Sequence, residues 1–197
     1  MKDHDPILED ILKLFCKILE KKDSGSHAYA AYKKSWLKEI GLDENSKEEA
    51  MTSRTTKKLQ QILLKKYQGK IKIEAPVAEG MTLRFEKFDD NQKQEVKIDS
   101  SKMQAFDILD LETGTAYEIS LSDAFAEFFK DVLKALLDSR VKKLYICMRS
   151  HHYKGSKKSG FAKVSDSKMV QQYIVLARLY KLEIHLVDIF PECTINK

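Results

Sequence analysis

Apolar residues recur every three or four positions near the start of the chain. Ile7, Leu8, Ile11, Leu14, Phe15, Ile18 and Leu19 follow Asp5, a good N-cap, and Pro6, suited to the first helical position. This spacing predicts a helix that Asp23-Ser24-Gly25-Ser26 interrupts. Tyr29, Tyr32, Trp36, Leu37 and Ile40 then mark one face of a second helix, with Ser26 as its cap and Gly41 as its stop. Ser46-Lys47-Glu48-Glu49 reads as a capping box for a third helix running to about Gln68, with Gly69 ending it. The first half of that helix, Met51 to Thr56, is small and polar and weakly held as core.

From about residue 70 the period shortens to two. Ile71/Ile73 and Met81/Leu83/Phe85 alternate as strands, Asp89-Asp90-Asn91 turns the chain, and Val96/Ile98 return. A second hairpin follows, Ala105 to Asp110 and Thr115 to Leu121 around Glu112-Thr113-Gly114. Ser122 or Asp123 caps a helix with a wide apolar stripe of Phe125, Phe128, Phe129, Val132, Leu133, Leu136 and Leu137. A strand over Leu144–Met148, a Gly/Ser-laced basic loop, a helix from about 165 to 180 and a last strand over Leu182–Phe190 complete the order. The expected fold is α/β or α+β: a mixed central sheet flanked by helices over 70–197, with an N-terminal helical subdomain over 1–69.

Composition narrows the class. With 43% hydrophobic and 33% charged residues the chain is too apolar for disorder. No apolar run is longer than that of Leu144 to Met148, which is too short to span a bilayer. No signal peptide is visible, and Cys16, Cys147 and Cys193 form neither a disulfide framework nor a metal pattern, so a cytoplasmic location is expected. The net charge of +5 is unevenly spread: residues 51–70 carry +6 and residues 140–168 carry +8, over an acidic remainder. Two basic stretches fit a polyanion footprint. They fit a solvated lysine-rich surface as well.

No GxGxxG, GxxxxGK[ST], HExxH, GxSxG or CxxC pattern occurs. His151-His152 is the one histidine pair with possible ligand spacing, and His185 falls inside the last strand as a sheet-face residue. Asp107 and Glu118 are different, because they sit on the two strands of one hairpin, joined by a tight turn. On a shared face two such carboxylates come close enough for one divalent cation, and alternation puts Glu118 with Ser120, away from Tyr117, Ile119 and Leu121. Taken alone, the hairpin reads equally well as a solvated polar face.

The hairpin carrying Asp107, then Glu118-Ile119-Ser120, an amphipathic helix and a strand resembles the PD-(D/E)xK phosphodiesterase superfamily over roughly residues 80–190. That superfamily includes most type II restriction endonucleases, the archaeal junction resolvases and several repair nucleases. The resemblance implies that Asp107, Glu118 and the Ile119 backbone hold Mg²⁺, with Mn²⁺ as the alternative metal. Phe106 stands in place of the motif's Pro, a common departure, and Ser120 in place of its Lys. A serine supplies no cation to orient water or offset developing charge. Members of the family sometimes move that lysine to a neighbouring element, and here the following helix offers Lys130 and Lys134, with Lys130 expected nearer the hairpin. A glutamate from a preceding helix sometimes completes the site, which points to Glu48 or Glu49.

For duplex DNA the candidate contacts are Arg54, Lys57 and Lys58 on the third helix, and Lys154, Lys157 and Lys158 in the Gly/Ser loop. Met51 is a candidate apolar wedge at a base step, or a packed residue. The expected function is a Mg²⁺-dependent endonuclease, a type II restriction enzyme acting as a homodimer on a two-fold site. Tyr29, Tyr32 and Trp36 belong either to that interface or to local core. The alternatives are a junction-resolving or repair nuclease, a nuclease-fold DNA-binding module that has lost catalysis, and a protein-interaction domain with no nucleic acid.

Overall fold

Asp5 caps the first helix as its position suggests: its carboxylate accepts from the Leu8 amide at 2.9 Å, and Pro6 opens α1 (Pro6–Ile18). The computed structural model describes residues 5–23, 28–77, 82–86, 93–97, 104–121, 125–149 and 160–189. The chain continues with β1 (Leu19–Asp23), β2 (Ala28–Tyr32), α2 (Lys34–Glu39), α3 (Glu48–Lys66) and β3 (Ile71–Pro76). Next come β4 (Thr82–Glu86), β5 (Lys93–Lys97), β6 (Ala105–Asp110), β7 (Thr115–Ser120), α4 (Phe125–Leu137) and β8 (Lys143–Arg149). It ends with α5 (Gly160–Ser165), α6 (Lys168–Leu179) and β9 (Glu183–Ile189).

Five strands form one mixed sheet in the order β3-β6-β7-β8-β9. The pairs β3/β6 and β6/β7 are antiparallel; β7/β8 and β8/β9 are parallel. A separate antiparallel pair, β4 with β5, joins Thr82 to Lys97 through Glu86 to Lys93. One face of the sheet presents Ile71, Ile108, Tyr117, Ile119, Tyr145 and Cys147 to α1, α2 and α3. The opposite face presents Phe106, Ala116, Leu144, Ile146 and Met148 to α4, α5 and α6. Strands buried on both faces are what parallel pairing with helical crossovers requires. The expected mixed sheet flanked by helices is therefore present, and among the described residues no helix is long and apolar enough to cross a membrane.

The N-terminal segment differs from its expectation in two places. The second helix over 27–40 is instead a hairpin and a short helix: α1 stops at Ile18, Leu19 is extended, and Leu19 pairs with Tyr32. Ala30 and Tyr32 are buried two residues apart, a strand period, and aromatic side chains suit strands. Tyr32 and Trp36 lie in the core, where the Trp36 indole donates to Thr55 Oγ1 at 3.0 Å. The capping box does not form. Ser46 instead bonds Asp43, and α3 starts with Lys47 at its N-cap and no side-chain acceptor there. The expected last helix, from about 165 to 180, is present as α6, preceded by the further short helix α5, and the capping residues Ser122 and Asp123 lie outside the described residues.

On α4 the apolar stripe is narrower than its sequence suggests. Phe128, Val132 and Ala135 are buried, whereas Leu133 and Leu137 are exposed. The helix is rotated so that Asp131 and Lys134 also turn inward. That rotation determines the chemistry described next.

Candidate functional site

The β6–β7 hairpin is fixed by local chemistry. Asp110 accepts from the Glu112 amide at 2.9 Å and from the Thr113 hydroxyl at 2.7 Å. Gly114 closes the turn at φ +70°, and a Cβ there would lie 2.4 Å from the Arg140 carbonyl oxygen. The pairing of Ile108 with Tyr117 then sets Asp107 opposite Glu118, one residue beyond the last ladder pair. At that point the ladder gives way to a side chain, and Asp107 Oδ2 accepts from the Ile119 amide at 2.7 Å.

Both carboxylates line an open cavity of about 620 Å³ between α3, β3, the hairpin and α4. Lys134 rises from α4 into its floor. Its ammonium lies 2.6 Å from Glu118 and 3.0 Å from Asp131, and donates to the Ala105 carbonyl at 3.1 Å. Burial, reinforced by Asp131 and Asp107, raises the Glu118 carboxyl well above the ordinary range. Burial likewise raises Asp131. The Asp107 carboxyl is pushed up to about 6, chiefly by burial, with the Ile119 hydrogen bond and Lys134 opposing. Burial alone would weaken the charge on Lys134; Glu118 and Asp131 reverse that and raise its pKa.

On the far side Gln60 of α3, almost fully buried, ties two strands together. Its amide donates to the Asp107 carbonyl at 3.0 Å and to Glu74 at 3.1 Å. Glu74 occupies the β3 position facing Asp107 and has φ +48°, a left-handed conformation costly for a side-chain-bearing residue. No ladder pair forms there. Strain of this kind concentrates at functional sites, and here it turns an exposed carboxylate onto the cavity wall.

The candidate residues named from sequence are distributed unevenly. Asp107, Glu118, Ile119 and Ser120 come together at the cavity, and Glu48 and Glu49 stand at its edge. Ser120 is buried and its hydroxyl has no hydrogen-bond partner among the described residues. The Ile119 side chain points into the opposite core, and its carbonyl accepts from the Leu121 amide at 3.2 Å. Lys130 was expected nearer the hairpin; it also lines the cavity, but pairs with Glu127, while Lys134, one turn on, reaches Glu118. Met51 is packed in the core, so it does not present a wedge. Arg54 clamps the end of α2 through the Ile40 and Gly41 carbonyls, at 3.0 and 3.1 Å, and Lys58 pairs with Glu39. Lys57 is exposed at the cavity rim with no acidic partner among the described residues. Lys154, Lys157 and Lys158, with His151 and His152, lie outside the described residues.

Sequence reasoning missed Gln60, Glu74 and Asp131. Gln60 and Asp131 had one available signal each, a polar residue interrupting the apolar face of its helix. As a cation site the donor set is chemically suitable: carboxylate, carbonyl and hydroxyl oxygens are what a hard divalent ion takes, and two carboxylates suffice for Mg²⁺. Among the described residues, however, no three acidic, histidine or cysteine groups converge as a metal-binding group, and Lys134 already occupies one oxygen of Glu118. The chain matches no protein-family model, and neither a curated protein nor a solved structure shows significant similarity to it.

Proposed function

We propose that the chain is a metal-dependent endonuclease hydrolysing phosphodiester bonds in duplex DNA, a site-specific restriction enzyme of the type II class. The observation that carries this reading is the opposition of Asp107 and Glu118 on adjacent strands, at the wall of an open cavity, with a buried ammonium on Glu118. The succession β6, β7, α4, β8 supports it, being the hairpin, helix and strand on which the resemblance to the PD-(D/E)xK superfamily rests. Asp107, Glu118 and the Ile119 carbonyl are the proposed Mg²⁺ or Mn²⁺ ligands. The bound metal would lower the pKa of a water and offset charge on the phosphoryl oxygens. Lys134 supplies from α4 the cation that Ser120 lacks, and holds the Glu118 carboxylate in one orientation. Lys57 on the rim and the basic segment 150–159 are the proposed phosphate contacts.

Plasmid DNA incubated with the protein and Mg²⁺, with EDTA and Glu118→Ala as controls, tests this directly. Discrete metal-dependent fragments that vanish in the variant are expected. A smear, or nicking only at branched substrates, would favour a repair or junction-resolving nuclease. The second reading, a nuclease-fold DNA-binding module without catalysis, is favoured by the absence, among the described residues, of three groups converging as a metal-binding set and by Lys134 sitting on Glu118. Salt-sensitive DNA binding with no cleavage in any divalent metal would establish it. The homodimer remains part of the proposal, and sedimentation of the free and DNA-bound protein decides it.

A further inference from the structure

Arg149, the last residue of β8, is only 4% exposed, yet its charge is poorly answered. Its guanidinium lies over the Tyr32 ring, 5.1 Å from the centroid, and pairs through Nη2 with Glu48, a carboxylate that is itself largely in solvent. The Arg149 Nε–H is buried and has no hydrogen-bond partner among the described residues. Arg149 faces a second cavity of about 150 Å³, lined also by Lys22, Tyr32, Glu44 and Glu48. Glu44 is already paired with Lys34 and Lys22, at 2.8 and 3.6 Å. Glu48 is the first residue of α3, and that helix begins without a side-chain cap, so its leading amides are left for an outside acceptor. A buried guanidinium with an unused donor beside an uncapped helix N-terminus is an oxyanion site.

From this convergence we propose that Arg149 and the α3 N-terminus form a phosphate-binding subsite, which the Glu48 carboxylate fills as an internal stand-in until a phosphate group displaces it. Glu48 lines this cavity and the larger one, so a phosphate seated here lies on the same side of the sheet ends as Asp107 and Glu118. The assignment of that phosphate to a DNA strand rests on the nuclease reading; the subsite itself does not.

The test titrates the full chain in EDTA with inorganic phosphate, followed by calorimetry, and with a fluorescently labelled duplex, followed by anisotropy. Glu48→Gln, which removes a solvent-exposed charge, is expected to tighten phosphate and duplex binding about tenfold, one charge-assisted contact's worth. Adding Arg149→Ala to Glu48→Gln is expected to erase that gain, and Arg149→Lys to restore part of it. Thermal melting of each variant identifies any that fail to fold; Glu48→Gln is informative whether or not the Arg149 variants fold. Unchanged or weaker phosphate binding by Glu48→Gln overturns the subsite. Duplex binding indifferent to both residues overturns the assignment of that phosphate to a DNA strand while leaving the nuclease reading intact. Phosphate binding that follows the expected pattern without any duplex binding supports the subsite and overturns the nuclease reading.

Discussion

Lys134 and Glu118 meet 2.6 Å apart at the floor of the cavity, both almost wholly removed from solvent, and Asp131 shares the same ammonium from one turn earlier on α4. One cation between two buried carboxylates leaves a net negative centre whose balance depends on that single lysine. Removing one partner of a buried pair is far more damaging than the pair is stabilising. Lys134→Met should therefore lose about 3 kcal/mol of stability at pH 7.5. The loss should shrink at pH 5, because Glu118 and Asp131, whose carboxyls burial already raises, can then take up protons. Urea unfolding at the two pH values measures both; equal stability of variant and parent would show that Lys134 compensates nothing.

Asp107 gives a pH dependence of definite sign. Its folded-state carboxyl titrates near 6, above the ordinary 3.8, so the folded protein prefers it protonated. The associated stability is fully present below about pH 4 and is lost as pH rises through about 6. Since the residue is only half-buried at the cavity wall, the loss is set at about 1–2 kcal/mol. Asp107→Asn should consequently gain stability relative to the parent between pH 4 and pH 7.5, while losing the proposed metal-dependent cleavage. A variant that became relatively less stable over that interval would contradict this account.

Two glycines with left-handed backbones separate conformational strain from collision. At Gly69, φ +83°, an added Cβ meets nothing within 4 Å, so Gly69→Ala should cost about 1 kcal/mol from the backbone alone. At Gly114 the same change drives a methyl against the Arg140 carbonyl, and the cost should reach about 3 kcal/mol. Because that turn sets Asp107 opposite Glu118, Gly114→Ala should also depress the proposed cleavage, whereas Gly69→Ala should not. Denaturation midpoints and initial rates for the pair distinguish them.

Tyr117 of β7 donates its hydroxyl to Asp5, 2.9 Å from each carboxylate oxygen, across 112 residues of sequence. Asp5 simultaneously caps α1. Tyr117→Phe and Asp5→Ala should each cost about 1–2 kcal/mol, and the double variant less than their sum, since they break one shared contact. Additive losses in the double-mutant cycle would mean that the two residues act separately.

The acid pair was legible because everything that creates it is local: alternation along two short strands and a turn spelled by Asp110, Thr113 and Gly114. The amide at position 60 was not, because only the fold brings Gln60 over a strand 47 residues away. Lys130 and Lys134 are one turn apart on the same helix, and which faces Glu118 depends on how α4 is rotated against the sheet, a tertiary quantity. The hairpin β1–β2 was hidden for a related reason: with small alanines between its tyrosines, Tyr29-Ala30-Ala31-Tyr32 satisfies a helical spacing as readily as a strand one. Arg149 looked like one more basic residue in a basic stretch, since burial is what makes it unusual.

Helix α3 faces two ways. Met51, Thr55, Leu59 and Leu63 are buried on its inner side, while Thr52, Ser53, Thr56 and Lys57 form the cavity wall on its outer side. The same core that holds this helix also covers Tyr117, Ile119 and Tyr145 of the sheet. The described part of residues 5–69 is therefore no detachable accessory to be trimmed, exchanged or grafted: without it one whole face of the sheet would be bare, and the β6–β7 hairpin would lose the cavity wall that faces it. The ends of such a chain should melt and refold together with its centre, in a single cooperative event.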